Sequence, residues 1–181
     1  MAFQLVEHPR KPLKIWHMPD PGQFYVIGVD VAAGTGGRES DFSAIEVLDV
    51  ATCRQMAEYH TRDLDPFDLG RMVARVGRFY GGAAEQAHVV VESNNHGLCT
   101  LATLREECEY WNLYCRPNPK GRMSDYKGLL GFQTNVNTRQ YLVDEGRRIF
   151  RHIHRLHNCK SSEPPVCSRE LANEIRAFVY N

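Results

Sequence analysis

The amino-acid sequence predicts an α/β fold: a mixed β-sheet, formed by an antiparallel meander and then parallel strands, with helices on both faces. Two observations predict it. Three β-type segments follow one another early in the chain, and their connections are too short for a crossover, so they pair antiparallel. Beyond them, apolar strand-like segments alternate with segments of helical periodicity, which favours parallel pairing with helices packed on the sheet.

The meander begins with the most apolar stretch of the sequence. Phe24–Val31, FYVIGVDV, is a β-type run interrupted by one acid, Asp30. A glycine-rich loop, Ala32–Asp41, follows. The second and third strands are predicted at Ser43–Asp49 and Arg54–Thr61.

Helices and strands alternate in the next part of the chain. Asp65 and Pro66 form an N-cap and first-turn pair for a helix. The strand HVVVE, His88–Glu92, comes next and ends in an acid. Asn94 or Asn95 is expected to cap a second helix. That helix is predicted to bury three leucines: Leu98, Leu101 and Leu104.

The last third of the sequence predicts a short strand and two more helices. The strand is Asn112–Cys115, and a polar loop follows it at 116–128. One helix is expected over Thr138–Ile153 with Asn137 as its cap, and the other starts near Ser168. Residues 1–22 hold four prolines and are predicted to be a linker or N-terminal extension, with a single domain over 23–181.

Composition narrows the class of protein. The chain has 181 residues, 43% of them hydrophobic, which is enough for one domain with a core. No apolar run has the length of a membrane span, and no segment resembles a secretory leader, so we expect neither a membrane partner nor export. Net charge is zero, but residues 1–92 carry −4 and residues 93–181 carry +4, so a polyanion would prefer the second half.

The two acids at the most apolar strands are the candidate site. A carboxylate in such a place is costly unless it is paired, hydrogen-bonded or metal-bound. If the strands of Asp30 and Glu92 are neighbours, the two acids converge at one sheet edge, where Mg²⁺ or Mn²⁺ would relieve their repulsion. The alternative is that they are unrelated strand-end acids, solvated or capping helices.

The glycine-rich loop AAGTGGRESD leaves a second function open. It lacks the G-K-[ST] of a P-loop, but a strand, an Asp and a Gly-rich turn also begin sugar-kinase and actin-like ATP-binding folds. A plain hairpin turn is the third interpretation.

Four segments together resemble one family. YVIGVDVAAGTGGRESDFSAIEVLD, VVVESNNHG, GFQTNVNTRQYLVDEG and ELANEIRAFVY are similar in order and spacing to the nuclease domain of the viral (phage) large terminase subunit, of the RNase H-like superfamily. The resemblance implies an RNase H-like fold and two-metal hydrolysis of DNA phosphodiester bonds. It implies that Asp30 bridges two ions and Glu92 holds one, with Asp41 an outer ligand or a brace of the Gly-rich loop.

The resemblance also sets expectations around this pair. Asn94, Asn95, His96 and Gly97 follow Glu92 directly, which is expected to put their polar groups near the metals or the scissile phosphate, with His96 as a proton shuttle or phosphate contact. The alternative is helix capping by an asparagine and a turn at Gly97. In the family a third acidic ligand follows the F-V-Y segment, and this sequence stops at Asn181 before it. Glu170 and Glu174 lie upstream and are poor substitutes. We therefore expect weak metal binding and low or absent nuclease activity from this chain alone.

Basic residues suggest where DNA would lie. Arg139, Arg147, Arg148 and Arg151 share one predicted helix, and Arg116 and Lys120 lie in the preceding loop. They are candidates for sequence-independent phosphate contacts, or else a solvated basic face. The resemblance further implies double-stranded DNA, the terminase ATPase domain, the small terminase subunit and the portal as partners, in the host-cell cytoplasm.

Two further alternatives remain. A non-catalytic module that docks on DNA or on a portal would share the same fold. A zinc site could be assembled from His152, His154, His157, Cys159 and Cys167, although their spacing matches no standard finger. Free thiols are the default expectation for the six cysteines.

Overall fold

The computed structural model describes residues 13–36, 41–116, 130–157 and 165–180, without the side chains of 150–157 and 176–180. The strands are β1 (Leu13–Ile15), β2 (Tyr25–Asp30), β3 (Ser43–Asp49), β4 (Gln55–Thr61) and β5 (His88–Val91). The helices are α1 (Pro66–Phe79), α2 (Gly97–Ala102, continued by a wider turn over Thr103–Glu107), α3 (Val136–His157) and α4 (Arg169–Tyr180). None of the helices in these ranges is both long and apolar enough to cross a membrane.

The five strands form one mixed sheet in the order β1-β4-β3-β2-β5. All neighbours are antiparallel except β2 and β5, which run parallel. Beyond β5, Leu113 makes a single parallel bridge to Val89, so the predicted strand Asn112–Cys115 is reduced to isolated bridges. The predicted mixed sheet, a meander followed by parallel pairing, is confirmed.

One face of the sheet carries the hydrophobic core. Alternate residues of the central strands point to it and are fully buried, among them Ile27, Ile45 and Val89. Helices α1 and α2 cover this face with buried side chains: Leu69, Val73, Val76, Leu101 and Leu104. Each such side chain contributes about 1.5–3 kcal/mol when removed from water.

The start of α1 is as predicted. The Asp65 side chain accepts hydrogen bonds from the backbone N–H groups of Phe67 and Asp68, both at 2.9 Å. Pro66, at the first helical position, has no N–H to leave unsatisfied. This cap orients the helix that covers the core.

The C-terminal segment reaches the other face of the sheet. Gln55, on β4, accepts hydrogen bonds through Oε1 from the backbone N–H groups of Cys167 and Ser168, each at 2.8 Å. Helix α4 starts directly after them, and the Ser168 hydroxyl accepts from Leu171 N at 3.2 Å. The prediction of helices on both faces is therefore confirmed.

The structure adds a strand that sequence reasoning missed. Within the stretch predicted as a linker, Leu13–Ile15 pair with β4 at the edge of the sheet, with Lys14 opposite Glu58. Three residues between prolines give too short a pattern to be recognised, and the pairing is supplied by the neighbouring strand. The boundary between residues 22 and 23 stays a prediction.

Three local expectations were wrong. Leu98 is 54% exposed, since it lies on the outer side of the first turn of α2. Neither Asn94 nor Asn95 caps α2, whose N-cap position is His96 without a side-chain bond. The cap of α3 is Asn135 rather than Asn137, because the Asn135 carbonyl oxygen Oδ1 accepts from the backbone of Asn137 and Thr138 at 3.0 Å.

Candidate metal centre

The parallel pairing of β2 with β5 places Asp30 beside Glu92. Val29 pairs with Val91 in the register, and each strand continues with its acid. The backbone N–H of Glu92 donates to the Val29 carbonyl at 2.9 Å, which extends the ladder to the acid itself. The geometric expectation from the sequence, two acids meeting at one sheet edge, matches this arrangement.

The two carboxyl groups interact strongly. Partial burial raises the pKa of Asp30 above its ordinary value, and contact with the Glu92 carboxyl and its charge raises it further. The negative charge of Asp41 acts in the same direction. A like-charged pair at a half-buried edge offers only oxygen donors, and a hard divalent cation would relieve its repulsion.

Glu92 is held in place by the residues that follow it. Asn94 donates from Nδ2 to Glu92 Oε1 at 3.0 Å and to the Thr134 carbonyl at 3.1 Å. Asn95, with φ +40°, and His96 are exposed at the start of α2. Asn94 is thus the neighbour whose hydrogen bond orients the acid. The roles of Asn95 and His96 stay predictions.

Gly97 allows α2 to begin directly against Glu92. A Cβ at residue 97 would lie 1.7 Å from the Glu92 carbonyl oxygen, closer than any real contact. Glycine at this position therefore sets where the Glu92 backbone can be, and the S-N-N-H-G sequence is a tight turn around the acid.

The Gly-rich loop is fastened to the protein's own backbone. Gly34, with φ +68°, approaches Leu64 so closely that a Cβ would lie 2.0 Å from its carbonyl oxygen. Gly36 N donates to the Arg62 carbonyl at 3.0 Å, and Ala32 N donates to the Ser43 hydroxyl at 2.9 Å. These contacts account for Gly34 and Gly36 without a phosphate ligand. Residues 37–40 lie outside the described residues.

The predicted DNA-contacting arginines have local partners. Arg147 lies 3.7 Å from Asp144, and Arg148 lies 2.7 Å from Glu145, each within one turn of α3. Arg116 donates to Gln133. Arg139 is exposed near the start of the helix. Lys120 and the side chain of Arg151 lie outside the described residues.

The predicted histidine–cysteine zinc cluster is mostly beyond what the structure describes: the side chains of His152, His154 and His157, and Cys159. Cys167 is described, and its thiol lies 3.9 Å from Nε2 of His17. Five cysteines carry free thiols: Cys53, Cys99, Cys108, Cys115 and Cys167.

A second group of ionisable side chains shares the sheet face with Asp30. Glu46 of β3 and Glu58 of β4 are directly opposite each other, and His60 is two residues further along β4. Their potential ligand atoms all lie within 4.8 Å of one another. Sequence reasoning missed this group. The acids in the apolar strands SAIEVLD and QMAEYHT can be seen in the sequence, but the register that brings Glu46 opposite Glu58 cannot.

Burial governs the ionisation of this second group. The desolvation of Glu46 raises its pKa to about 8, a rise that the charge of Glu58 and contact with its carboxyl reinforce and a hydrogen bond from Gln55 opposes. The Glu58 side chain has no exposed surface and pairs with Lys14 Nζ at 3.0 Å.

No family model and no curated protein matches the sequence. Solved structures do. The nuclease of the large terminase from thermophilic phage G20c, solved with bound zinc, superposes with a TM-score of 0.61 at 16% identity, over 96% of this chain and 81% of that one.

Two further matches have lower scores. Another structure of the G20c nuclease gives a TM-score of 0.44 at 21% identity, over 55% of this chain and 48% of that one, so the alignment spans less than half of that protein. The large terminase nuclease domain of Thermus phage P74-26 gives 0.38 at 15% identity, over 65% and 77%. The chain has the RNase H-like fold of phage large-terminase nuclease domains.

Proposed function

We propose that this chain is the metal-dependent endonuclease domain of a DNA-packaging terminase, which hydrolyses DNA phosphodiester bonds. The observation that carries the proposal is the adjacency of Asp30 and Glu92 at the ends of two parallel strands. The shared fold with a phage terminase nuclease, itself solved with bound zinc, supports it.

The residues present fit divalent metal ions. Asp30 and Glu92 offer oxygen donors only. Burial and the neighbouring Glu92 carboxyl together raise the pKa of Asp30, and a bound cation would stabilise the ionised pair. In this proposal Asp30 and Glu92 hold Mg²⁺ or Mn²⁺, two ions in the complete site, with Asp41 as an outer ligand. Bound metal would lower the pKa of the attacking water and stabilise charge on the leaving oxygen.

The chain's own residues would prepare this site before any ion binds. Asn94 fixes one oxygen of Glu92. Gly97 and the tight turn before α2 hold the Glu92 backbone. In this proposal His96, which is exposed next to this turn, contacts a phosphate or moves a proton.

Double-stranded DNA is the proposed substrate. Exposed and partly exposed arginines on α3, namely Arg139, Arg147 and Arg148, would contact phosphates without reading bases, as a nuclease that cuts many sequences requires. The ATPase domain, the small subunit and the portal of a packaging machine are the proposed protein partners, and the host-cell cytoplasm is the proposed location.

Plasmid cleavage in Mn²⁺ or Mg²⁺ tests the proposal. We expect metal-dependent nicking by the 181-residue chain to be weak, and we expect Asp30→Asn and Glu92→Gln each to abolish whatever nicking is detected, since each variant removes one charged ligand. A matched control is Asp68→Asn, an exposed acid on α1 that pairs with Arg71. The control should cut like the parent.

Metal binding measured by calorimetry separates the outcomes. If Mn²⁺ binds and both site variants weaken this binding, the proposed metal centre is supported even when cleavage is too slow to detect. Salt-dependent DNA binding with no effect of Asp30→Asn on either metal binding or cleavage would contradict the proposal and favour a non-catalytic DNA- or portal-binding module. Tight ATP binding would instead favour the ATP-binding half-domain.

A further inference from the structure

The group Glu46, Glu58 and His60 is built from three neighbouring positions of the meander. Glu46 and Glu58 form a cross-strand pair, so their side chains project from the same face of the sheet. Like charges directly opposite each other destabilise a sheet unless something lies between them. His60 projects from the same face, two residues along β4.

One carboxylate oxygen of this group has no partner. Glu58 is completely buried, and its Oε2 makes no hydrogen bond, while its Oε1 pairs with Lys14. A buried polar atom without a partner costs about 1–3 kcal/mol, and more when the group is charged. An ion next to Oε2 would remove this cost.

The other donors are held ready by neighbours. Gln55 donates from Nε2 to Glu46 Oε2 at 2.7 Å, and Gln55 is itself held by the backbone before α4. Glu46 Oε1 lies 4.0 Å from His60 Nε2. Each glutamate thus has one oxygen fixed by the protein and one available, which is the usual arrangement around a metal ligand.

We propose that Glu46, Glu58 and His60 bind one divalent transition-metal ion, at a site separate from Asp30 and Glu92. Two carboxylates and one imidazole suit Zn²⁺ or Mn²⁺ better than Mg²⁺, which prefers oxygen ligands alone. Two donors on a tetrahedral ion with bonds of about 2.0–2.2 Å lie about 3.3–3.6 Å apart. The observed span of at most 4.8 Å therefore has to shorten by about 1.2–1.5 Å when the ion binds.

The two centres are near each other but cannot share ligands. Asp30 pairs with Ala44, and Ala44 pairs with His60, so His60 is two strands from Asp30. At ordinary strand spacing this separation is about 9–10 Å. The proposed ion would instead link β3 and β4. It would also offset the negative charge of Glu46 and Glu58 and that of Glu174 on α4, whose charge acts on Glu46.

Zinc titration of the Asp30→Asn/Glu92→Gln double variant tests the inference, since that background lacks the nuclease centre. We expect one equivalent of Zn²⁺ by calorimetry. Adding Glu46→Gln or His60→Gln should lower the affinity at least tenfold. His88→Gln is the matched control, because His88 is a half-buried strand histidine bonded to Asn112 outside the group.

Cobalt spectra and circular dichroism provide the controls for this titration. Co²⁺ bound at this site should show no thiolate charge-transfer band, and Cys167→Ser should leave binding unchanged. Circular dichroism in chelator should show that Glu46→Gln and His60→Gln are folded. The inference is overturned if the double variant binds no Zn²⁺, if binding persists undiminished in the folded Glu46→Gln and His60→Gln variants, or if a thiolate band appears.

Discussion

At the scale of single residues, the proposed metal centre depends on two close contacts around Glu92. Asn94 fixes an oxygen of Glu92, and Gly97 fits under its carbonyl. Neither residue needs to touch a metal to matter. Their effect is on where Glu92 lies, and a shift of about 1 Å in a ligand is enough to weaken a site.

Gly97→Ala is expected to move Glu92. The added Cβ would lie 1.7 Å from the Glu92 carbonyl oxygen, so the backbone must shift. We expect a loss of about 1–3 kcal/mol in the free energy of unfolding, measured with urea, and weaker Mn²⁺ binding. The control is Gly146→Ala in α3, where a Cβ would meet nothing within 4 Å. That variant should be neutral or more stable by up to about 1 kcal/mol; equal effects of the two substitutions would contradict the explanation.

Glu46→Gln is expected to change how stability depends on pH in chelator. The pKa of Glu46 is 4.5 in its ordinary state and about 8 in the fold, chiefly because of burial. The folded chain therefore binds the extra proton between these values, and the free energy of unfolding falls as pH rises from about 4.5 to about 8.

Glutamine removes this ionisation, so Glu46→Gln should flatten the decline. Its stability relative to the parent should rise with pH by an amount on the order of a few kcal/mol. Urea unfolding at several pH values measures it, with the exposed Glu85→Gln as control. The other ionisable side chains around Glu46 are those of Glu58, His60 and Glu174. A parallel decline in parent and variant would show that Glu46 is not the cause.

At the scale of elements, strands and helices were predictable wherever the pattern was long. The bounds of β3 and the start of α1 agree with the sequence, because alternation over seven residues and a cap followed by proline are strong local signals. The edge strand β1 and the cap of α3 were not predicted correctly. The three residues of β1 are too few to show a periodic pattern. Asn135 and Asn137 are only two residues apart and have the same side chain, so the sequence does not show which of them caps α3.

The N-cap of α1 is expected to contribute measurably to stability. Asp65→Ala leaves the N–H groups of Phe67 and Asp68 without their partner, which should cost about 1 kcal/mol of unfolding free energy. Asp65→Ser keeps an oxygen in place and should cost less. Thermal unfolding of the two variants compares them directly; a serine variant as unstable as the alanine one would argue that charge, rather than capping, is what matters.

At the scale of the whole molecule, the sequence predicted that the acids of two apolar strands, Asp30 and Glu92, would converge. The register of β2 and β5 brings the two residues together. The group of Glu46, Glu58 and His60 was not predicted, because it forms only through the pairing of β3 with β4. Lys14, which pairs with Glu58, lies in the stretch that was predicted as a linker. Long-range pairing decides such groups, and no local pattern contains it.

Replacing Arg139, Arg147 and Arg148 together by alanine tests whether α3 carries the proposed DNA-contacting surface. We expect weaker binding to duplexes of any sequence, with the slope of log affinity against log salt reduced by about 0.9 for each phosphate that the variant no longer neutralises. Fluorescence anisotropy at several salt concentrations measures it. Arg71→Ala, on α1 and paired with Glu107, is the control and should keep the parental slope. An unchanged slope in the triple variant would place DNA elsewhere.

The order in which the chain can assemble follows from the same sheet. The hairpins β2–β3 and β3–β4 join segments close in sequence, whereas Val29 and Val91, which pair across β2 and β5, are separated by the whole of α1. Closing that long loop costs more conformational entropy than forming the hairpins, so the pairing of β2 with β5 is expected to form later. During refolding, Mn²⁺ binding should therefore appear after most of the β-sheet circular dichroism signal has formed. The time at which Mn²⁺ binds would then report when β5 docks on β2.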